Sequence, residues 1–149
     1  MHYKKYRSTA AFTLIEVLLV IAILSFLALF IAPVMNGFLI NTYFHNNVST
    51  VISTLHTAQQ NSISGRADGQ WGVNISPSAI TLYKGANYGS RQQSFDQVTD
   101  IPSSINITNT DVVFKKVTGQ PPTARTITVS SQTDTKVITI QQTGIIDVN

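Results

Sequence analysis

Cysteine is absent from the 149 residues, which excludes structural disulfides, thiolate-ligated zinc and thiol catalysis. Charge is scarce as well, at 11% of the chain against ~25% in an ordinary soluble domain. No acidic residue precedes Glu16. Paired-carboxylate, HExxH, GxSxG and P-loop spacings are all missing, so neither an enzyme, a metal nor a cofactor is expected. The three histidines are His2, His45 and His56. His45 and His56 lie about three helical turns apart, too far for one metal ion, and read as solvated helix residues.

What the chain does have is one long hydrophobic run. Residues 17–34 are interrupted only by Ser25 and Pro33. As a helix this run is roughly 27 Å long, close to the ~30 Å hydrocarbon core of a bilayer. It is apolar on every side, unlike a helix that faces a one-sided core. Lys4, Lys5 and Arg7 precede it, and residues 36–47 contain no Lys or Arg. The positive-inside rule then places the N-terminus in the cytoplasm and the remainder outside. The formal charge is +3. Without those three N-terminal cations the chain has seven basic and seven acidic residues, so its basicity belongs to the leader and not to a nucleic-acid face.

Glu16 stands out, because a carboxylate at the head of an apolar helix is costly in hydrocarbon unless it is paired. The stretch Ala11-Phe12-Thr13-Leu14-Ile15-Glu16, continuing into Val17-Leu18-Leu19-Val20-Ile21-Ala22-Ile23-Leu24, resembles the N-terminal signature of type IV pilins and type II secretion pseudopilins. The resemblance implies cleavage between Ala11 and Phe12 by a prepilin peptidase and N-methylation of Phe12. It implies that Glu16 acts in assembly, pairing with the terminal amine of a neighbouring subunit. Pro33, the twenty-second residue after that cut, would kink the helix. One departure is Ala11, where the family usually has Gly. The implied partners are other pilin or pseudopilin subunits, the peptidase, and the inner or cytoplasmic membrane. The C-terminal domain would be periplasmic or extracellular.

After the hydrophobic run the pattern becomes amphipathic. Ile40, Phe44, Val48, Val51, Ile52, Leu55, Ala58 and Ile63 recur at mostly three- and four-residue steps, which predicts a helix over residues 37–64 stopped by Gly65. The period then changes to two. Strands are expected over 71–75, 80–84, 95–99, 105–108, 112–117, 126–130, 136–141 and 144–148, with mobile loops at 85–93 and 119–124. The expected fold is α+β: a long N-terminal helix, membrane-spanning in its first half and amphipathic in its second, packed on a C-terminal antiparallel β-sheet. The domain division is a cleaved leader over 1–11, a transmembrane and assembly helix over 12–35, an amphipathic helix over 36–64 and a β-rich domain over 65–149.

A weaker resemblance covers this second region. Trp71-Gly72-Val73-Asn74-Ile75 and the following hairpin, Phe114 through Gly119, the Thr-rich strands and Gly144 are similar to the GspH/FimT pseudopilin branch. The reading is therefore a minor pilin or pseudopilin, a structural subunit of a type IV pilus or type II secretion pseudopilus. The alternative is a DNA-binding minor pilin of a competence pilus. Its candidate contacts are Lys115, Lys116 and Arg125, with Tyr83 and Tyr88 for stacking near Lys84 and Arg91. From residue 36 onward seven basic residues face six acidic ones, too balanced for a strong phosphate field. Nucleic acid is thus the less favoured partner. A third reading is an anchored surface domain with no assembly role.

Overall fold

The computed structural model describes residues 12–149, with the side chains of 29–37 outside that description. The chain divides into two compact units, Met1–Phe38 and Leu39–Asn149. A single helix, α1 (Leu14–Ile63), supplies most of the first unit and the opening of the second.

In the first unit every described side chain over 12–28 is exposed. Ser25, the polar interruption, donates its hydroxyl to the Ile21 carbonyl at 2.8 Å, which satisfies it within the helix. Among the described residues no helix is long and apolar enough to cross a membrane. The apolar stretch with described side chains ends at Ala28. From Leu14 that is roughly 21 Å of helix, short of the ~30 Å a bilayer core requires. The span expected over 12–35 continues into residues 29–37, and so does the kink expected at Pro33. The helix assignment itself runs through Pro33.

The second unit holds the rest of α1 and eight strands: β1 (Trp71–Ile75), β2 (Ala79–Lys84), β3 (Gln97–Asp100), β4 (Asn106–Ile107), β5 (Thr110–Phe114), β6 (Arg125–Ser130), β7 (Thr135–Ile140) and β8 (Ile146–Val148). All pairings are antiparallel. They form two four-stranded sheets, ordered β3-β2-β1-β5 and β4-β6-β7-β8, where one sheet was expected. Both sheets and the helix share one core. Phe44, Val48, Val51, Leu55 and Ala58 come from α1, Trp71, Val73, Ile75, Leu82, Val112 and Phe114 from the first sheet, and Ile127, Val129, Ile138 and Ile140 from the second. Ile52 is only partly buried against this core, and Ile63 is half exposed.

The helix ends where its backbone turns left-handed. Gly65 has φ +64°, a conformation glycine adopts without a Cβ penalty. The next strand is tied directly to the helix end, because Trp71 N–H donates to Ser62 Oγ at 2.9 Å. Gln59 Nε2 donates to the carbonyls of Gly119 (3.0 Å) and Gly144 (2.8 Å). One helical side chain therefore holds both the turn after β5 of the first sheet and the turn between β7 and β8 of the second.

Four strands are shorter than the alternation suggests, among them β4, which has two residues where the pattern spans 105–108. Residues 93–95 form a 3-10 turn before β3, and Phe95 packs edge-on to Trp71 at 5.8 Å. After Phe114 the backbone turns away, with Lys115 N–H on the Gln120 carbonyl and Val117 at φ +73°. Gly144 closes a turn onto Gln141 before β8 begins. The loop over 85–93, expected to be mobile, is tied down at several points. Arg91 Nε bonds Asp96 Oδ2 at 2.8 Å, the Arg91 guanidinium lies 3.8 Å from the Tyr88 ring centre, and Gln92 N–H returns to the Lys84 carbonyl. In the loop over 119–124, Gly119 and Pro121 are buried, and the Pro122 carbonyl accepts from Gln142 Nε2 at 3.1 Å.

Candidate functional site: the N-terminal signature and the basic residues

Ala11 and the leader lie outside the described residues; the description begins at Phe12, on the far side of the expected cut. Phe12 and Thr13 are non-helical, and α1 starts at Leu14. Thr13 occupies the cap position. Its Oγ1 accepts the Glu16 N–H at 3.3 Å, and its carbonyl accepts from Glu16 at 3.1 Å and from Val17 at 3.3 Å. A Thr three residues before a Glu is the arrangement of a capping box, in which the hydroxyl satisfies a donor that the first helical turn leaves orphaned. This role of Thr13 was missed in the sequence, although the Thr-x-x-Glu spacing ahead of an apolar run signals it.

Glu16 thus sits in the first turn of α1, where the positive end of the helix dipole favours a carboxylate. Its side chain is exposed in the isolated chain, as are Phe12, Leu14, Ile15, Val17 and Leu18. An uncovered apolar surface of this extent marks a site of membrane or protein contact.

The residues considered for DNA contact fall into different settings. Lys116 is ion-paired with Asp68, and its ammonium holds the Asp68 carboxyl below the ordinary aspartate value. Lys115 is exposed beside it. Arg125 opens β6 in the other sheet and lines a hollow with Asp111, Pro121 and Pro122. Tyr83 is fully buried, so its ring offers no stacking face, which corrects that part of the expectation. The Lys84 ammonium bonds Gln92 Oε1 at 3.0 Å and lies 4.8 Å from the Phe95 ring centre. Arg91 is committed to Asp96 and Tyr88. Several of these cations are therefore already engaged within the domain. His45 and His56 are both exposed. Among the described residues no group of three or more His, Cys, Asp or Glu is placed to hold a metal ion.

Residues 6–32 match the family model of the prokaryotic N-terminal methylation motif. This match covers the expected cut and most of the apolar run. No curated protein and no solved structure matches the chain. The chain carries the processing signal found on type IV pilins and pseudopilins, and that signal implies handling by a prepilin peptidase and assembly with other pilin-type subunits.

Proposed function

We propose that this protein is a minor pilin or pseudopilin, a structural subunit of a type IV pilus or type II secretion pseudopilus. The observation that carries the reading is the methylation motif over residues 6–32. The geometry supports it, because the expected cut falls directly before the residues that start the helix. Peptidase cleavage after Ala11 frees the α-amine of Phe12. Thr13 then caps α1, and Glu16 presents a carboxylate four residues from the new terminus. Residues 12–35 anchor the subunit in the inner or cytoplasmic membrane before assembly, and the exposed apolar side chains of the first unit are covered by lipid and later by neighbouring helices. Charge pairing between Glu16 and a neighbour's Phe12 amine penalises a mis-registered subunit, since an unpaired charge in a dry interface is costly. Assignment to the GspH/FimT branch is the finer part of the proposal. It is supported by the β1–β2 hairpin that opens on Trp71-Gly72 and by the turns at Gly119 and Gly144.

The test is intact-mass measurement of the protein from cells with and without the peptidase. The expected product begins at Phe12 and carries one added methyl group. Ala11→Gly should be cut at least as well, and a bulky residue at position 11 should block the cut. Recovery of only the full-length chain from peptidase-positive cells overturns the proposal.

A further inference from the structure

The outer face of the first sheet contains a hollow of about 210 Å³, whose lining includes Asp111, Val113, Pro121, Pro122, Ala86 and Arg125. Its carboxylate is positioned from below. The buried Tyr83 hydroxyl donates to Asp111 Oδ1 at 2.8 Å. Tyr83 reaches Asp111 across β1, where the residue between them is Gly72, paired with Tyr83 on one side and Val113 on the other. A Cβ at Gly72 would stand 2.6 Å from the Tyr83 ring and hydroxyl, so this passage requires glycine. One Asp111 oxygen is thus satisfied by a fixed donor, which orients the other. Arg125 lines the same hollow, and neither it nor Asp111 is in an ion pair among the described residues. Pro121 and Pro122 have fixed φ angles, and their loop is tethered through Gln142, so little ordering entropy opposes binding there.

We propose that this hollow receives a lysine or arginine side chain of another polypeptide, its charged head on Asp111 and an acidic neighbour of that residue on Arg125. The fixed, half-buried carboxylate sets the sign of the entering group, because Arg125 is exposed and free to swing. Val113, Ala86 and the two prolines offer an apolar wall along which the alkyl stem of a basic side chain lies. The hollow is smaller than the ~300–1,000 Å³ of a small-molecule pocket and opens on solvent, which suits one side chain projecting from a larger body. The inference stands apart from the N-terminal signature and does not depend on it.

The test uses the full chain in detergent micelles and a capped Lys-Asp dipeptide, titrated while amide resonances are followed by NMR. Saturable millimolar shifts are expected at Val113 and Arg125. Asp111→Asn should weaken binding by about fivefold, the scale of one partly exposed charge pair. Arg125→Gln should weaken the Lys-Asp probe but leave capped lysine alone unchanged, a split that damage to the fold would not produce. A dipeptide with norleucine in place of lysine should not bind. The proposal is overturned if the Lys-Asp probe gives no saturable shift, if norleucine binds equally well, or if Asp111→Asn changes nothing.

Discussion

Ser62, in the last turn of the helix, and Trp71, the first residue of β1, are joined by a buried hydrogen bond from the Trp71 N–H to Ser62 Oγ at 2.9 Å. Both residues are almost wholly buried, so no water replaces that acceptor. Ser62→Ala should therefore cost about 1–3 kcal/mol, the penalty of an orphaned buried donor. Ser64→Ala, two residues on at an exposed position, should stay within about 0.5 kcal/mol. Chemical unfolding followed by the fluorescence of Trp71, the only tryptophan, measures both. Equal stabilities for the two variants would refute the assignment.

Gly72 is closed in by its neighbours. A methyl group there would lie 2.6 Å from the Tyr83 ring and 2.9 Å from the Val112 carbonyl, a backbone atom that cannot swing aside. Gly72→Ala should destabilise the domain by about 1–3 kcal/mol through overpacking. Gly89→Ala is the control, since its new Cβ meets only Asn87 Oδ1 at 3.4 Å and should change little. Comparison of their unfolding midpoints decides the matter.

Tyr83 predicts an alkaline signature. Burial first, then the hydrogen bond to Asp111 and its charge, push the phenol far above the ordinary tyrosine value. Below pH ~10 the phenol is protonated in both folded and unfolded chains, and its contribution to stability is complete. Above pH ~10 the unfolded chain releases this proton and the folded one keeps it, so stability falls as pH rises. Tyr83→Phe should remove this component of the decline. Unfolding free energies of both proteins between about pH 9 and 11 test the sign, and parallel slopes would count against it.

Glu16 should matter to assembly more than to folding, since it lies exposed in the first helical turn. If it pairs with a neighbouring amine as proposed, Glu16→Ala should be cleaved and inserted normally. Its incorporation into filaments beside wild-type subunits should fall roughly tenfold or more, as befits loss of a partner in a dry interface. Quantitative immunoblotting of sheared filaments reads this directly. Wild-type incorporation would sink the idea, and loss from the membrane fraction would point instead to insertion.

The segments that could be read from the sequence are those whose signal is local. The run over 17–34 and Glu16 at its head are contiguous residues, and the family match over 6–32 covers Glu16 and all but the last two residues of the run. The stripe through Phe44, Val48, Val51, Leu55 and Ala58 repeats at helical spacing, and those five residues are the helix's share of the core. Trp71–Ile75 alternates and is β1 without adjustment. The cap at Thr13 is equally local, but its Thr-x-x-Glu spacing lies inside the processing motif, which masks it.

Tertiary structure decided what depends on residues far apart in the chain. Hydrophobic alternation states that a strand has a buried face but not which sheet that face belongs to, so the split into two sheets was invisible. Tyr83 reads as a stacking candidate because it lies near the cations Lys84 and Arg91, but nearness to cations in the chain does not report burial. It is buried, with the Tyr88 ring edge-on to it at 5.5 Å in a loop held by Arg91, Asp96 and Gln92. The Tyr83–Asp111 bond joins residues 28 apart and exists only because Gly72 leaves room between β2 and β5. Periodicity reports the solvent on either side of a segment, whereas cross-sheet contacts are set by register and by the volume of the residue in between, and no local pattern carries those.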